Sequence, residues 1–148
     1  MKLDDLDHKI IEIMQKDARM TNAEIAEIVG SNGPTVRRRI ERLVKEDVVK
    51  IVAVANPRKM GYKVLAVIAI QIEHTALPEL EKAMLALPQV HFCGIMLGGF
   101  NVLIEVWLQS HEELLTFLHE ELGRIPGIQR VEAQQALKMV KYTNDWAA

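Results

Sequence analysis

The sequence predicts an α+β protein in two parts, an N-terminal winged helix-turn-helix followed by a ferredoxin-like domain of order β-α-β-β-α-β. Three observations lead there. Residues 1–50 hold three capped segments of helical period, the third crowded with arginine. After Asn56-Pro57 the rhythm changes to Val/Ile-rich strands alternating with two helices. Both of those helices exit through a proline dipeptide into a strand, Leu87-Pro88-Gln89-Val90 and Ile125-Pro126-Gly127-Ile128, an internal echo expected of a split βαβ arrangement.

The first helix is expected over Asp4–Asp17. Leu6, Ile10, Ile13 and Met14 recur at helical spacing, and Asp4, Asp5 and Asp7 sit where the N-terminal dipole favours anions. The second begins at Thr21, which forms a T-x-x-E capping box with Glu24; Ile25, Ala26, Ile28 and Val29 give its apolar stripe and Gly30 its left-handed stop. After the turn Gly30-Ser31-Asn32-Gly33, a third helix starts near Pro34, a residue tolerated in a first turn whose N–H has no helical partner. Asn32 is its expected cap, and Val36, Ile40, Leu43 and Val44 its core face. Val48–Ala55 reads as β, a candidate wing, and the turn-like Asn56–Gly61 marks the boundary. The expected division is 1–50 for the helix-turn-helix, 51–62 for a linker strand and turn, and 63–148 for the second domain.

In the second domain, strands are expected at Val64–Glu73, Val90–Leu97, Asn101–Leu108 and Gln129–Val140. Helices are expected at Pro78–Leu87 and from Ser110, which caps with Glu113, to Arg124. Gly98-Gly99 reads as a tight turn between the middle strands. Helices cover one face of such a sheet, so the apolar density of VLAVIAIQIE and NVLIEVWL points to a second subunit as cover for the other.

Composition narrows the class. Nearly half of the 148 residues are apolar (49%), yet no stretch approaches the roughly 18 unbroken apolar residues of a membrane span. The acidic start MKLDDLDHKI does not read as a signal peptide, and Cys93 is the single cysteine, so no intramolecular disulfide framework is possible; a reducing cytoplasm is the expected setting. The net charge of −2 hides an asymmetry: residues 1–63 carry 13 Lys/Arg against 10 Asp/Glu, residues 64–148 carry 5 against 10. A basic front suggests that one part meets a polyanion.

The stretch TNAEIAEIVGSNGPTVRRRIERLVKE concentrates that charge. At 100° per residue, Pro34, Thr35, Arg38, Arg42 and Lys45 project furthest from the apolar side of the third helix, with Arg37 and Arg39 on the flanks. A major groove accepts one helix, and arginine can hydrogen-bond guanine bidentately. Double-stranded DNA is thus the expected partner, with Thr35 and Arg38 toward base edges. Arg37, Arg42 and Lys45 are expected toward phosphates, with Asn32 at the helix N-terminus beside another. The competing reading is an ordinary solvated face, with Arg39 paired locally to Glu41 or Glu46; the capped preceding helix, the glycine turn and the Val-rich segment favour DNA.

The ordered set LDDLDHKIIEIMQKDARMTNAEIAEIVG, TVRRRIERLVKEDVV, NPRKMGYKVLAVIAIQIE, LPQVHFCGIMLGGFNVLIEVWL and RIPGIQRVEA closely resembles the Lrp/AsnC (feast/famine) family of prokaryotic transcription regulators across nearly the whole chain. The resemblance implies dimers that commonly assemble into octamers, and an amino acid as effector, bound near the glycine turn between dimers. The matching positions are Gly98, Gly99, Phe100 and Asn101, with Ala133 and Gln134 on the last strand opposite. Asn101 stands where the family usually has Asp, Ala133 where Thr is frequent, and Asp47 where glycine precedes the wing. An alternative on the same architecture is a siroheme decarboxylase-like enzyme, which would need a roomy pocket lined with His or Arg in the second domain.

Other residues read as structural. His91 and Cys93 alternate on one expected strand, but two ligands without a third read as packing and not as a metal site. No glycine-rich phosphate loop precedes a helix, and Ser110 and His111, adjacent in sequence, point about 100° apart. No metal or other cofactor and no catalytic residue is expected.

Overall fold

The computed structural model describes residues 2–140. The chain divides into two compact units, Met1–Ala53 and Val54–Ala148.

The first unit holds three helices, α1 (Asp5–Lys16), α2 (Asn22–Val29) and α3 (Gly33–Lys45). Each starts on a side-chain cap. Asp4 and Asp7 cap reciprocally at α1, Thr21 and Glu24 do the same at α2, and Asn32 Oδ1 accepts the Thr35 N–H at 2.9 Å at α3. Such caps occupy donors that a helix start leaves unpaired, each contributing about 1 kcal/mol. α2 stops at Gly30, whose φ of +68° a side chain would oppose. Ile10, Met14, Ile25, Ala26, Val36 and Leu43 form the core. Two residues expected in it, Ile28 and Val44, lie outside, 61% and 43% exposed.

No strand forms over Val48–Ala55 among the described residues. The expected wing strand is therefore a correction: its pattern is right for β, but a strand exists only through a ladder partner, and Ile51 and Val52 stand exposed. Asp47, at the position where the resembling family has glycine, adopts a left-handed φ of +56° that glycine reaches without steric cost.

The second unit is a four-stranded antiparallel sheet of order β2-β3-β1-β4, formed by β1 (Val64–Ile72), β2 (Val90–Ile95), β3 (Val102–Leu108) and β4 (Ile128–Gln135). With α4 (Leu77–Ala86) and α5 (His111–Thr116) it completes the ferredoxin-like order. Along β1 every second residue, from Val64 to Ile72, is buried, and Val102, Ile104, Val106 and Leu108 of β3 share that side with Leu80, Met84, Phe117 and Leu122. The alternate residues of β1 are only partly buried.

Two elements differ from expectation. The last helix does not run unbroken to Arg124: it widens into a π turn at Phe117–Glu121 and tightens into a 3₁₀ turn at Leu122–Arg124. Phe117 and Leu122 are five residues apart and both buried, a spacing that an i→i+5 turn brings onto one face. The last strand ends at Gln135, five residues short of Val140. Gly127 opens it with φ +83° where an added Cβ would stand 2.6 Å from the Ala76 Cβ, so the strand entry passes directly over the His74–Ala76 turn. Among the described residues no helix is long and apolar enough to cross a membrane.

Candidate nucleic-acid interface and ligand loop

α3 presents five cations, and the structure sorts them by partner. Arg37 donates to its i+4 neighbour Glu41 at 2.8 Å, an exposed pair that holds the guanidinium only loosely. Arg38 and Lys45 are exposed and have no ionic partner among the described residues. Pro34 and Thr35 occupy the first turn beside the Asn32 cap, Pro34 and Asn32 exposed and Thr35 half-buried.

Arg39 and Arg42 behave otherwise. Arg39 Nη1 lies 2.7 Å from both Asp4 carboxylate oxygens and 2.8 Å from Asp7 Oδ1, and Arg42 Nη2 lies 2.6 Å from Asp7 Oδ2. The Asp7 side chain is fully buried. Arg42, expected to lean toward a phosphate, is instead tied back to α1, and Arg39 pairs across the unit and not with Glu41 or Glu46. The periodicity of α3 alone places Arg42 among the outward residues and does not contain α1; in the structure Arg42 lies with Arg39 on the flank that meets Asp7. Sequence offered a signal: Asp7, Ile10 and Met14 stand at i, i+3 and i+7, so a carboxylate falls on the buried stripe of α1 and requires a cation.

The electrostatics follow from these bonds. The Arg39 hydrogen bond and the Asp7 N–H hold the Asp4 carboxyl at a pKa of about 2. Burial pushes Asp7 upward, but hydrogen bonds from Arg39, the Asp4 N–H and Arg42 outweigh it, and the net shift is downward. Bonds to Asp4 and then Asp7 raise Arg39 further above its ordinary range.

In the second unit the residues between β2 and β3 do not form a two-residue turn. The Met96 N–H donates to the Asn101 carbonyl at 2.9 Å, closing a six-residue loop in which Gly98 and Gly99 are exposed. Phe100 lies under the Arg130 guanidinium, 5.0 Å from its ring centroid. The Asn101 side chain is buried, Oδ1 accepting the Ile72 N–H at 2.9 Å and Nδ2 donating to the Ile72 carbonyl at 2.8 Å. Its polar atoms are occupied in extending the β1–β3 pairing past Ile70↔Val102.

Ala133 and Gln134 pair with Ile68 and Val67, so period-2 alternation points them to opposite faces of the sheet. The structure therefore does not bring both to one side of the loop; Arg130 is the last-strand residue that meets it. His91 and Cys93 both line the groove beside α4 but have different neighbours. An irregularity between Val90 and Phe92 leaves His91 stacked on Trp107 at 4.4 Å, while Cys93 pairs with Ile104, a residue of the buried face. Among the described residues no three His, Cys, Asp or Glu side chains converge as metal ligands. A cleft of about 40 Å³ beside Tyr62, Lys63 and Trp107 and a groove of about 580 Å³ between α4 and β2 indent this unit, and neither is lined by the loop, Ala133 or Gln134.

Fold and site together define a helix-turn-helix protein with a separate ferredoxin-like domain. Residues 3–50 match the family described as winged helix-turn-helix DNA-binding, and residues 65–146 match the Lrp/AsnC ligand binding domain. The chain is 35% identical to an uncharacterized HTH-type transcriptional regulator of Pyrococcus furiosus, with 95% of each chain covered. It is 33% identical to the HTH-type transcriptional regulator FL11 of the same organism, covering 97% of this chain and 95% of that one. A transcriptional regulator of Neisseria meningitidis, solved in complex with L-Met, superposes with a TM-score of 0.89 at 24% identity over 95% of this chain and 94% of that one, which establishes a shared fold. This chain belongs to the Lrp/AsnC family of transcriptional regulators.

Proposed function

We propose that this regulator reads duplex DNA through the outer face of α3, with Thr35 and Arg38 toward base edges and Arg37, Lys45 and the Asn32–Pro34 turn toward the backbone. The single observation supporting this most strongly is the sorting of the cations: Arg38, central on the face opposite Val36 and Leu43, projects outward without an ionic partner among the described residues. Two such helices in a homodimer would address half-sites about 34 Å apart. Higher assembly, up to an octamer, and a cytoplasmic location belong to the same proposal. That the relatives named above are transcriptional regulators favours it over a siroheme decarboxylase.

A small-molecule effector, with an amino acid as the favoured class, fits the match to a ligand binding domain and the L-Met bound to the Neisseria protein of the same fold. The residues we assign to it are Gly98, Gly99, Phe100 and, by its guanidinium on that ring, Arg130. Asn101 is left out because its amide is already occupied, and Ala133 and Gln134 remain candidates only from another subunit.

The test is a duplex selected from a random library and titrated by fluorescence anisotropy. Arg38→Ala should weaken binding by about 1–3 kcal/mol and relax base preference at one position. Parent-like affinity and preference in that variant would overturn the placement of α3.

A further inference from the structure

Three of the five cations on α3 are paired, and two of them, Arg39 and Arg42, meet one buried carboxylate. Asp7 offers Oδ1 to Arg39 and Oδ2 to Arg42, while Asp4 grips the same Arg39 nitrogen with both oxygens. The two acids are themselves joined, since the Asp7 N–H donates to Asp4 Oδ1 at 2.9 Å and the Asp4 N–H to Asp7 Oδ2 at 3.2 Å. The cluster thus balances two carboxylates against two guanidiniums, spanning 32 to 35 residues of sequence.

Two consequences follow. Arg39 and Arg42 are three residues apart on one flank of α3, so anchoring both to the first turn of α1 fixes the rotation of the recognition helix as well as its height. A guanidinium that gives its hydrogen bonds to a buried carboxylate has also lost much of its pull on a phosphate, because approaching DNA would leave Asp7 buried and unpaired. Arg42 illustrates this: its side chain is 42% exposed, yet its nitrogen is directed to Asp7.

We propose that Asp7, assisted by Asp4, is a positioning residue for DNA recognition that holds Arg39 and Arg42 off the phosphate backbone, setting the angle of α3 and limiting sequence-independent binding. The proposal rests on α3 being the DNA-reading helix. Its signature is the salt dependence of binding, since each phosphate contact contributes about 0.9 to the slope of log affinity against log salt.

The experiment uses the full chain and a random-sequence duplex alongside a selected one. Asp7→Asn should release Arg42, steepen the slope on random duplex by about 0.9 per subunit, and lower the ratio of specific to non-specific affinity. Between 50 and 200 mM salt that is an extra loss of about 3.5-fold per released arginine. Arg42→Ala should leave the parent's slope on random duplex unchanged but cancel the steepening in the Asp7→Asn background. If Asp7→Asn does not fold, the Arg42→Ala arm decides alone: a slope shallower by about 0.9 per subunit means that Arg42 reaches a phosphate, and the proposal is wrong. An unchanged slope in a folded Asp7→Asn variant overturns it too. A parent that binds neither duplex refutes the DNA reading itself, a distinct outcome.

Discussion

Asn101→Asp changes one atom pair and should be costly. In the parent the side-chain amide donates to the Ile72 carbonyl at 2.8 Å and accepts the Ile72 N–H at 2.9 Å, at a site where both residues are buried. The Ile72 N–H must face an acceptor, so the orientation of the amide is dictated by the backbone. An ionised carboxylate keeps the accepted bond but sets a second oxygen against the carbonyl. Losing the donor to a buried carbonyl costs about 1–3 kcal/mol, and more where the opposing group is charged. We therefore expect about 3 kcal/mol at pH 7, a drop in Tm on the order of 15 °C for a domain of this size. The introduced carboxyl fits only when protonated, because its O–H can then replace the lost donor. Its folded-state pKa consequently lies above the unfolded value near 3.9, so the deficit is full at neutral pH and shrinks as pH falls through that raised pKa. Thermal melts of the full chain by circular dichroism, parent against variant from pH 7 to 4, measure the difference directly. A variant as stable as the parent, or a deficit that does not change with pH, refutes the reasoning and returns residue 101 to the exposed loop as an effector contact.

Three further outcomes follow from the geometry. The first unit should lose stability in acid: Asp4, whose pKa falls from 3.8 to about 2 on folding, contributes fully above pH 4, and that contribution disappears as pH drops toward 2, which amide NMR of residues 4–45 against pH will follow. Gly127→Ala should destabilise the second unit by about 2 kcal/mol, combining a positive φ with the Ala76 clash, as a urea titration will measure. Asp47→Gly should stabilise the first unit by about 0.5–1 kcal/mol, because relief of about 1–2 kcal/mol of left-handed strain exceeds the added unfolded-state entropy of about 0.5–1 kcal/mol, again readable by urea titration.

What the sequence disclosed and what it withheld divide along a physical line. Helix starts were legible because caps are local: Thr21-x-x-Glu24 and Asn32 needed only neighbours within three residues. The chain order of strands and helices in the second unit was legible because period-2 burial along VLAVIAIQI and the paired proline exits leave little choice. The site was half legible. Arg38 projects as its helical position requires, whereas Arg42 and Asn101 are turned by partners 35 and 29 residues away, which no spacing rule contains. The strand expected at Val48–Ala55 failed for the related reason that a ladder partner lies outside any local pattern. Ala133 and Gln134 come from the family resemblance and not from spacing, and as adjacent strand residues they face opposite ways.

The most direct test places a photo-crosslinking amino acid at Thr35, with the exposed Gln129 of β4 as the comparison, and irradiates each full chain on its selected duplex. Crosslinks to bases are expected from position 35 and none from 129. Retained binding with crosslinks from 129 alone would contradict the placement of α3.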